Sequence, residues 1–153
     1  LLDVNGKKRV IPMKQFFTGV RTTVMKKNEI LYTVSIPANK KNTKLIHSRF
    51  IKIGTRKSME CSVVSLAHHI QSDNSGKIIS VGLAIGASAP TIRYTELACE
   101  FLIGKNLKRI SVKDKTDFAD KILSYASPIS DIRATEWYRK EVLHNISKAV
   151  LEV

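Results

Sequence analysis

The stretch Phe50–Ser65, FIKIGTRKSMECSVVS, decides how the chain is read. It opens as an apolar strand carrying one lysine, Lys52. It breaks at Gly54-Thr55 into a basic turn, Arg56-Lys57, and resumes through Glu60-Cys61 into a second apolar run at Val63-Val64. A short connection between successive strands favours antiparallel pairing, since parallel strands need a long crossover. The same layout suits a cation held beside an anionic ligand, because functional groups concentrate on loops fixed by rigid elements.

Working outward, strands are expected near Leu45–Ile53, Cys61–Ile70 and Ile78–Ala87. Asp73-Asn74-Ser75-Gly76 has turn composition and joins the last two. Gly82 and Gly86 predict a bulge or a close backbone approach in the last strand. Upstream, Asn5-Gly6 between Leu1–Val4 and Lys7–Ile11 predicts a hairpin with a type I′ turn. Ile30–Ile36 reads as a strand stopped at Pro37, and the polar Asn39–Thr43 reads as a linker.

Downstream the pattern turns helical. Leu97, Ala98, Phe101 and Leu102 make one apolar face over Thr95–Ile103, with Gly104 placed as a left-handed cap. Ser111-Val112-Lys113-Asp114 reads as a helix start, followed by Phe118, Ile122, Leu123 and Ala126 and ended by Pro128. Thr135 caps a third helix on which Tyr138, Val142, Ile146, Ala149 and Val153 recur every three or four positions. Strands followed by helices predict an α+β fold with helices on one face of an antiparallel sheet.

The 153 residues carry a formal charge of +13, unevenly spread. Residues 1–60 hold 14 Lys and Arg against 3 Asp and Glu; residues 61–153 hold 12 against 10. A basic first part suits a phosphate-bearing cofactor, an acidic partner protein or nucleic acid. Nucleic acid ranks last, because no aromatic stacking residues are interleaved with the basic ones. No apolar run reaches the 18 or more residues that a membrane span needs. Two distant cysteines, Cys61 and Cys99, make no metal motif and are expected as buried, reduced thiols in a cytoplasmic protein.

No complete catalytic constellation is visible. His68 and His69 are strand neighbours that point to opposite faces, so they do not share a metal. Ser62 and Ser65 lack the G-x-S-x-G elbow of a hydrolase. Gly86-Ala87-Ser88-Ala89-Pro90 lacks both the Walker and the dinucleotide glycine spacing. Asp131 with Arg133 and Arg139 reads as an Asp–Arg pair that closes the domain or pins the last helix to the sheet. The lone Trp137 is read as core or interface.

Taken in order, these pieces resemble the C-terminal part of the FAD-binding subunit of the molybdenum hydroxylases, the family of xanthine dehydrogenase, aerobic carbon monoxide dehydrogenase and nicotinate dehydrogenase. Arg9-Val10-Ile11-Pro12 with Phe16-Phe17-Thr18-Gly19 resembles its R-x-x-P…F-F-x-G segment. Glu29-Ile30-Leu31 through Ile36-Pro37 resembles its E-I/L-L…I-P strand. Phe50, Lys52 and Arg56 resemble F-x-K…R. Gly86–Pro90, Glu96 and Leu102-Ile103-Gly104-Lys105 resemble G-x-x-A-P…E…L-x-G-K. Pro128–Ala134 with Tyr138-Arg139 resembles P-x-x-D-x-R-A…Y-R.

The resemblance implies that residues 1–38 are the short β-rich tail of the second FAD-binding lobe. It implies that residues 39–153 are a C-terminal α+β domain, a three- to four-stranded antiparallel sheet with a layer of helices. It implies FAD as cofactor, with Leu31 packing near it and Lys52 beside it. It places molybdopterin on a large partner subunit and [2Fe–2S] clusters on a small one, with electrons passing from the clusters through FAD to an acceptor. The family's glycine-rich pyrophosphate loops lie in N-terminal lobes that this stretch does not span, so FAD binding by this chain alone is expected to be weak or nil. Two alternatives stand beside this reading: a flavin-less assembly module that docks on molybdenum or iron–sulfur subunits, and, last, a small basic nucleic-acid binder.

Overall fold

A computed structural model describes residues 1–36, 45–56 and 59–152. The expected linker, Asn39–Thr43, lies outside the described residues, as does Lys57 of the basic turn. The chain divides into two compact units, Leu1–Lys41 and Asn42–Val153.

The first unit holds β1 (Leu2–Asp3), α1 (Met13–Phe16), β2 (Phe17–Gly19), β3 (Thr22–Thr23) and β4 (Glu29–Ile30). β1 pairs with β4 and β2 with β3, both antiparallel. The turn at Asn5-Gly6 forms, but only Gly6 has a positive φ, +78°, so it is not the expected type I′ turn. Its geometry comes from the Asp3 carboxylate, which accepts from the backbone N–H groups of Asn5 (2.9 Å) and Lys7 (2.8 Å). The expected strand Ile30–Ile36 is cut short at Ile30. Its aliphatic side chains Leu31, Val34 and Ile36 are exposed and line no core; β propensity without a neighbouring strand does not make a ladder.

The second unit is a four-stranded antiparallel sheet in the order β5 (Leu45–Ile53), β6 (Val64–Ser72), β7 (Ile78–Gly86), β8 (Arg93–Tyr94). Three helices cover one face: α2 (Glu96–Leu102), α3 (Val112–Leu123) and α4 (Glu136–Ala149), with a 3-10 turn at Leu107–Arg109. The period of two in β6 decides the faces: Val64, Leu66, His68 and Ile70 are buried, while residues between them are half-buried or exposed. Leu66 stands opposite Ile85, His68 opposite Leu83 and Ile70 opposite Val81. With Ala98, Leu102, Phe118, Ile122 and Leu143 from the helices they form one core. Each large aliphatic or aromatic side chain buried there contributes about 1.5–3 kcal/mol.

Local signals hold at the helix ends. Gly104 has φ +84° after α2, and Ser111 and Asp114 close a reciprocal capping box on α3. Thr135 accepts from the N–H of Tyr138 at the start of α4. Two expected faces are corrected. Leu97 is exposed, and α2 buries Ala98, Cys99 and Leu102 instead. On α4 the fully buried stripe is Arg139, Leu143, Ser147 and then Val150; of the expected line, Val142 and Ile146 pack half-buried against the core, Tyr138 and Ala149 are exposed, and Val153 lies outside the described residues. Two polar side chains occupy that stripe because each finds partners. The Ser147 hydroxyl donates to the Leu143 carbonyl at 2.6 Å. Arg139 donates to two carbonyls and a carboxylate. Cys99 is buried as expected, but Cys61 is exposed on the connection into β6.

Candidate functional site

Lys52 sits on the face of the sheet that no helix of this unit covers. In register, Lys52 stands opposite Ser65 and Ser65 opposite Gly86. The next row of the same face is Phe50, Ala67 and Ala84, and the one after is Ser48, His69 and Gly82. In the first two rows, two adjacent strands thus place only small side chains beside one lysine and one phenylalanine, with His69 bounding them in the third, and Phe50 is 64% exposed. The close approach expected of a strand glycine is found at Gly86, where an added Cβ would lie 2.7 Å from the Ser65 hydroxyl. Gly82 makes neither a bulge nor a close approach; the register shift falls at Gln71/Ser72.

The Lys52 ammonium is held at the edge of this floor by the Glu60 carbonyl, to which it donates at 2.6 Å. Glu60 in turn ties the connection after β5 together. Its carboxylate accepts from the Arg56 N–H at 2.6 Å and from the Thr55 hydroxyl. Those two bonds, the hydroxyl's first, hold its pKa below the usual carboxylate range. The Arg56 guanidinium is spent on the Met59 carbonyl, where Met59 takes φ +53°. By register Lys52 lies on the uncovered face, and Arg56 donates within the loop.

Leu31 belongs to the other unit, so it and Lys52 are each placed within their own surroundings. Leu31 is 53% exposed and lines a cavity of about 280 Å³ with Lys8, Arg9, Phe16, Phe17 and Tyr32. Behind it Arg9 makes a two-pronged pair with Glu29, at 2.9 and 2.6 Å, and also donates to the Val24 carbonyl at 2.8 Å. The Arg9 hydrogen bonds, then the Lys26 N–H, hold the Glu29 carboxyl down at about 2. His68 and His69 do point to opposite faces: His68 is buried, and His69 meets Ser48 at 2.5 Å and Gln71 at 2.8 Å. No group of three or more metal-ligating side chains occurs among the described residues.

The fold has known counterparts. The model of the CO dehydrogenase flavoprotein C-terminal domain matches residues 49–153. The chain belongs to that family. Xanthine dehydrogenase of Emericella nidulans is 31% identical over 99 residues, covering 65% of this chain and 7% of that protein. The carbon monoxide dehydrogenase medium chain of Hydrogenophaga pseudoflava is 26% identical over 149 residues, covering 96% of this chain and 48% of that one. In structure, the carbon monoxide dehydrogenase of H. pseudoflava lacking the Mo-pyranopterin moiety superposes with a TM-score of 0.84 at 23% identity, over 97% of this chain and 49% of that one. Quinoline 2-oxidoreductase from Pseudomonas putida 86 gives 0.73 at 24% identity, over 90% and 45%. The α+β fold is thus that of the family. The chain spans about half the length of the medium chain and less than a tenth of the first xanthine dehydrogenase.

The small-residue floor was not singled out in the sequence. Its signal was there: Ser65 and Ala67 on one strand, and Gly82, Ala84 and Gly86 on the next, all at a spacing of two.

Proposed function

We propose that this chain is the C-terminal portion of an FAD-binding subunit of a molybdenum-dependent oxidoreductase. The observation that carries the reading is the pairing of Lys52, inside the family match, with a sheet face stripped of bulk beside it. The donor set fits FAD: one fixed ammonium suits an anionic or carbonyl oxygen, and a floor of Ser, Ala and Gly lets a flat ring approach the strands. Leu31, with Phe16, Phe17 and Tyr32 about its cavity, offers an apolar wall. FAD, when bound, supplies the electron-accepting and electron-passing chemistry. Lys52 supplies positive charge at a stated place, and Leu31 supplies apolar contact. The partners implied are a molybdopterin-binding large subunit and a [2Fe–2S] small subunit, with glycine-rich N-terminal lobes holding the pyrophosphate.

The test is FAD affinity, read by quenching of flavin fluorescence, for the chain complemented with N-terminal flavin lobes of a medium-chain relative. Lys52→Ala weakens binding about tenfold, the worth of one charge-assisted bond. Undiminished affinity removes Lys52 from the site.

A further inference from the structure

A second cavity, of about 510 Å³, opens where the start of β5, the end of β6 and the 3-10 turn meet. Ile46, Ile70 and Leu107 give it apolar walls, and Ser72, His47 and Lys108 are its polar lining. His47, Ile70 and Ser72 in its lining are on the face of the sheet opposite Lys52, and Ile46 borders it at the edge of β5. The size is that of a site for a small molecule.

Its inner wall carries an unusual deficit. The His47 ring packs edge-on against His68, centroids 4.8 Å apart. His68 is only 5% exposed. Among the described residues, Nδ1 of His47 and both ring nitrogens of His68 have no hydrogen-bond partner. Buried polar atoms are satisfied in the great majority of cases, and exceptions mark an ordered water, a ligand or a functional site. The charges around this pair are of one sign. Arg49 stands directly opposite His68 in register, and Lys108 is in the cavity lining, which includes no carboxylate. The nearest acid in sequence, Asp73, is already engaged: it accepts from the N–H groups of Ser75 and Lys77 at 2.9 Å each. A divalent metal would find two imidazoles and no acidic ligand here, so the chemistry favours an anion.

We propose that this cavity binds a small organic anion, an aromatic or short aliphatic carboxylate. Its apolar part lies on Ile70 and Leu107, and its carboxylate is taken by Lys108 and by the His47 imidazole as N–H donor. His68 backs the His47 ring and fixes its plane. This assignment does not depend on flavin binding.

The test is an amide and imidazole NMR titration of the chain with benzoate and, separately, octanoate at neutral pH. Saturable shifts are expected at Gly76, Leu107 and the His47 ring. His47→Leu abolishes them. Lys108→Gln, an exposed change that leaves the core intact, weakens binding about tenfold, and Lys113→Gln on α3 leaves it unchanged. No saturable shift at millimolar probe overturns the proposal and leaves an ordered water as the occupant. Equal shifts with uncharged benzamide, or affinity untouched by Lys108→Gln, overturn the anion assignment.

Discussion

The guanidinium of Arg139 reaches across 76 positions of sequence to donate to the carbonyl of Val63 at 2.6 Å. The same nitrogen donates to the Ala87 carbonyl at 3.2 Å, and the other terminal nitrogen pairs with Asp131 at 2.7 Å. Val63 is where the loop after Lys52 rejoins the sheet, and Ala87, at φ +58°, is where β7 ends. One side chain on α4, itself 4% exposed, therefore fixes the two strand ends that border the Lys52–Ser65–Gly86 row.

Removing it takes the donor from two carbonyls, while the Asp131 carboxylate keeps the N–H groups of Arg133 and Ala134. Arg139→Met is expected to lower stability by about 2–3 kcal/mol, the cost of leaving the two carbonyls without a donor. Arg139→Lys recovers little, because one ammonium cannot replace a planar fork that serves three acceptors. Urea unfolding midpoints at neutral pH check both. A loss below about 0.5 kcal/mol for Arg139→Met, the level of an ordinary surface change, contradicts the clamp.

How far the sequence disclosed this arrangement follows from where each signal is stored. Strand order, capping residues and the Gly104 cap are local and were readable. So was an Asp131–Arg pair, since Asp131, Arg133 and Arg139 lie in one short segment, but not that Arg139 is the buried partner. The motif pieces Arg9 and Glu29 were readable singly, but their mutual bond spans 20 residues and no local rule announces it. The centre of the inward face of α4 was missed, though Val142 and Ile146 do flank it, because Arg139 and Ser147 are polar, and hydrophobic periodicity cannot see a buried polar group whose partners come from elsewhere. The cavity at His47 was invisible for a related reason: it is made where two strands and a distant 3-10 turn meet. Trp137, read as core or interface, is 70% exposed.

Gly86 tests the floor. Its missing Cβ leaves room for the Ser65 hydroxyl, which an alanine would approach to 2.7 Å. Gly86→Ala is expected to cost about 1–2 kcal/mol through overpacking. Ser65→Ala beside it removes the clashing oxygen and recovers most of that loss. A double-mutant cycle on thermal unfolding measures the coupling; additivity of the two changes places the crowding elsewhere.

At the start of α3 the Lys105 ammonium donates to Asp114 at 2.7 Å while Ser111 completes the capping box. Lys105 first, then the Ser111 bonds, hold the Asp114 carboxyl at about 2. A carboxyl depressed on folding contributes stability that is present above its ordinary pKa and lost as the pH falls through the folded value. The contribution of this cap is thus constant above pH ~4 and fades toward pH ~2. Ser111→Ala lowers stability by about 1 kcal/mol at neutral pH. Asp114→Asn flattens the acid limb between those values, seen in unfolding curves recorded from pH ~5 to pH ~2.

His68 governs a different window. Burial first, then His47, Arg49 and His69, push its pKa down from 6.5 to about 4. Between those two values the unfolded chain takes up a proton that the folded chain refuses. Unfolding is therefore favoured as the pH drops, and the stability that neutral His68 preserves is complete above pH ~6.5 and lost toward pH ~4. This window lies above that of Asp114, so the two separate on one pH series. His68→Leu removes the titrating group and keeps the site apolar; its stability is expected to change less between pH ~7 and pH ~5 than that of the parent chain. An unchanged slope in the Leu variant would show that another group carries the acid sensitivity. Added benzoate is expected to stabilise the parent chain and leave His47→Leu unmoved, which ties the thermodynamics of this cluster to occupancy of the cavity beside it.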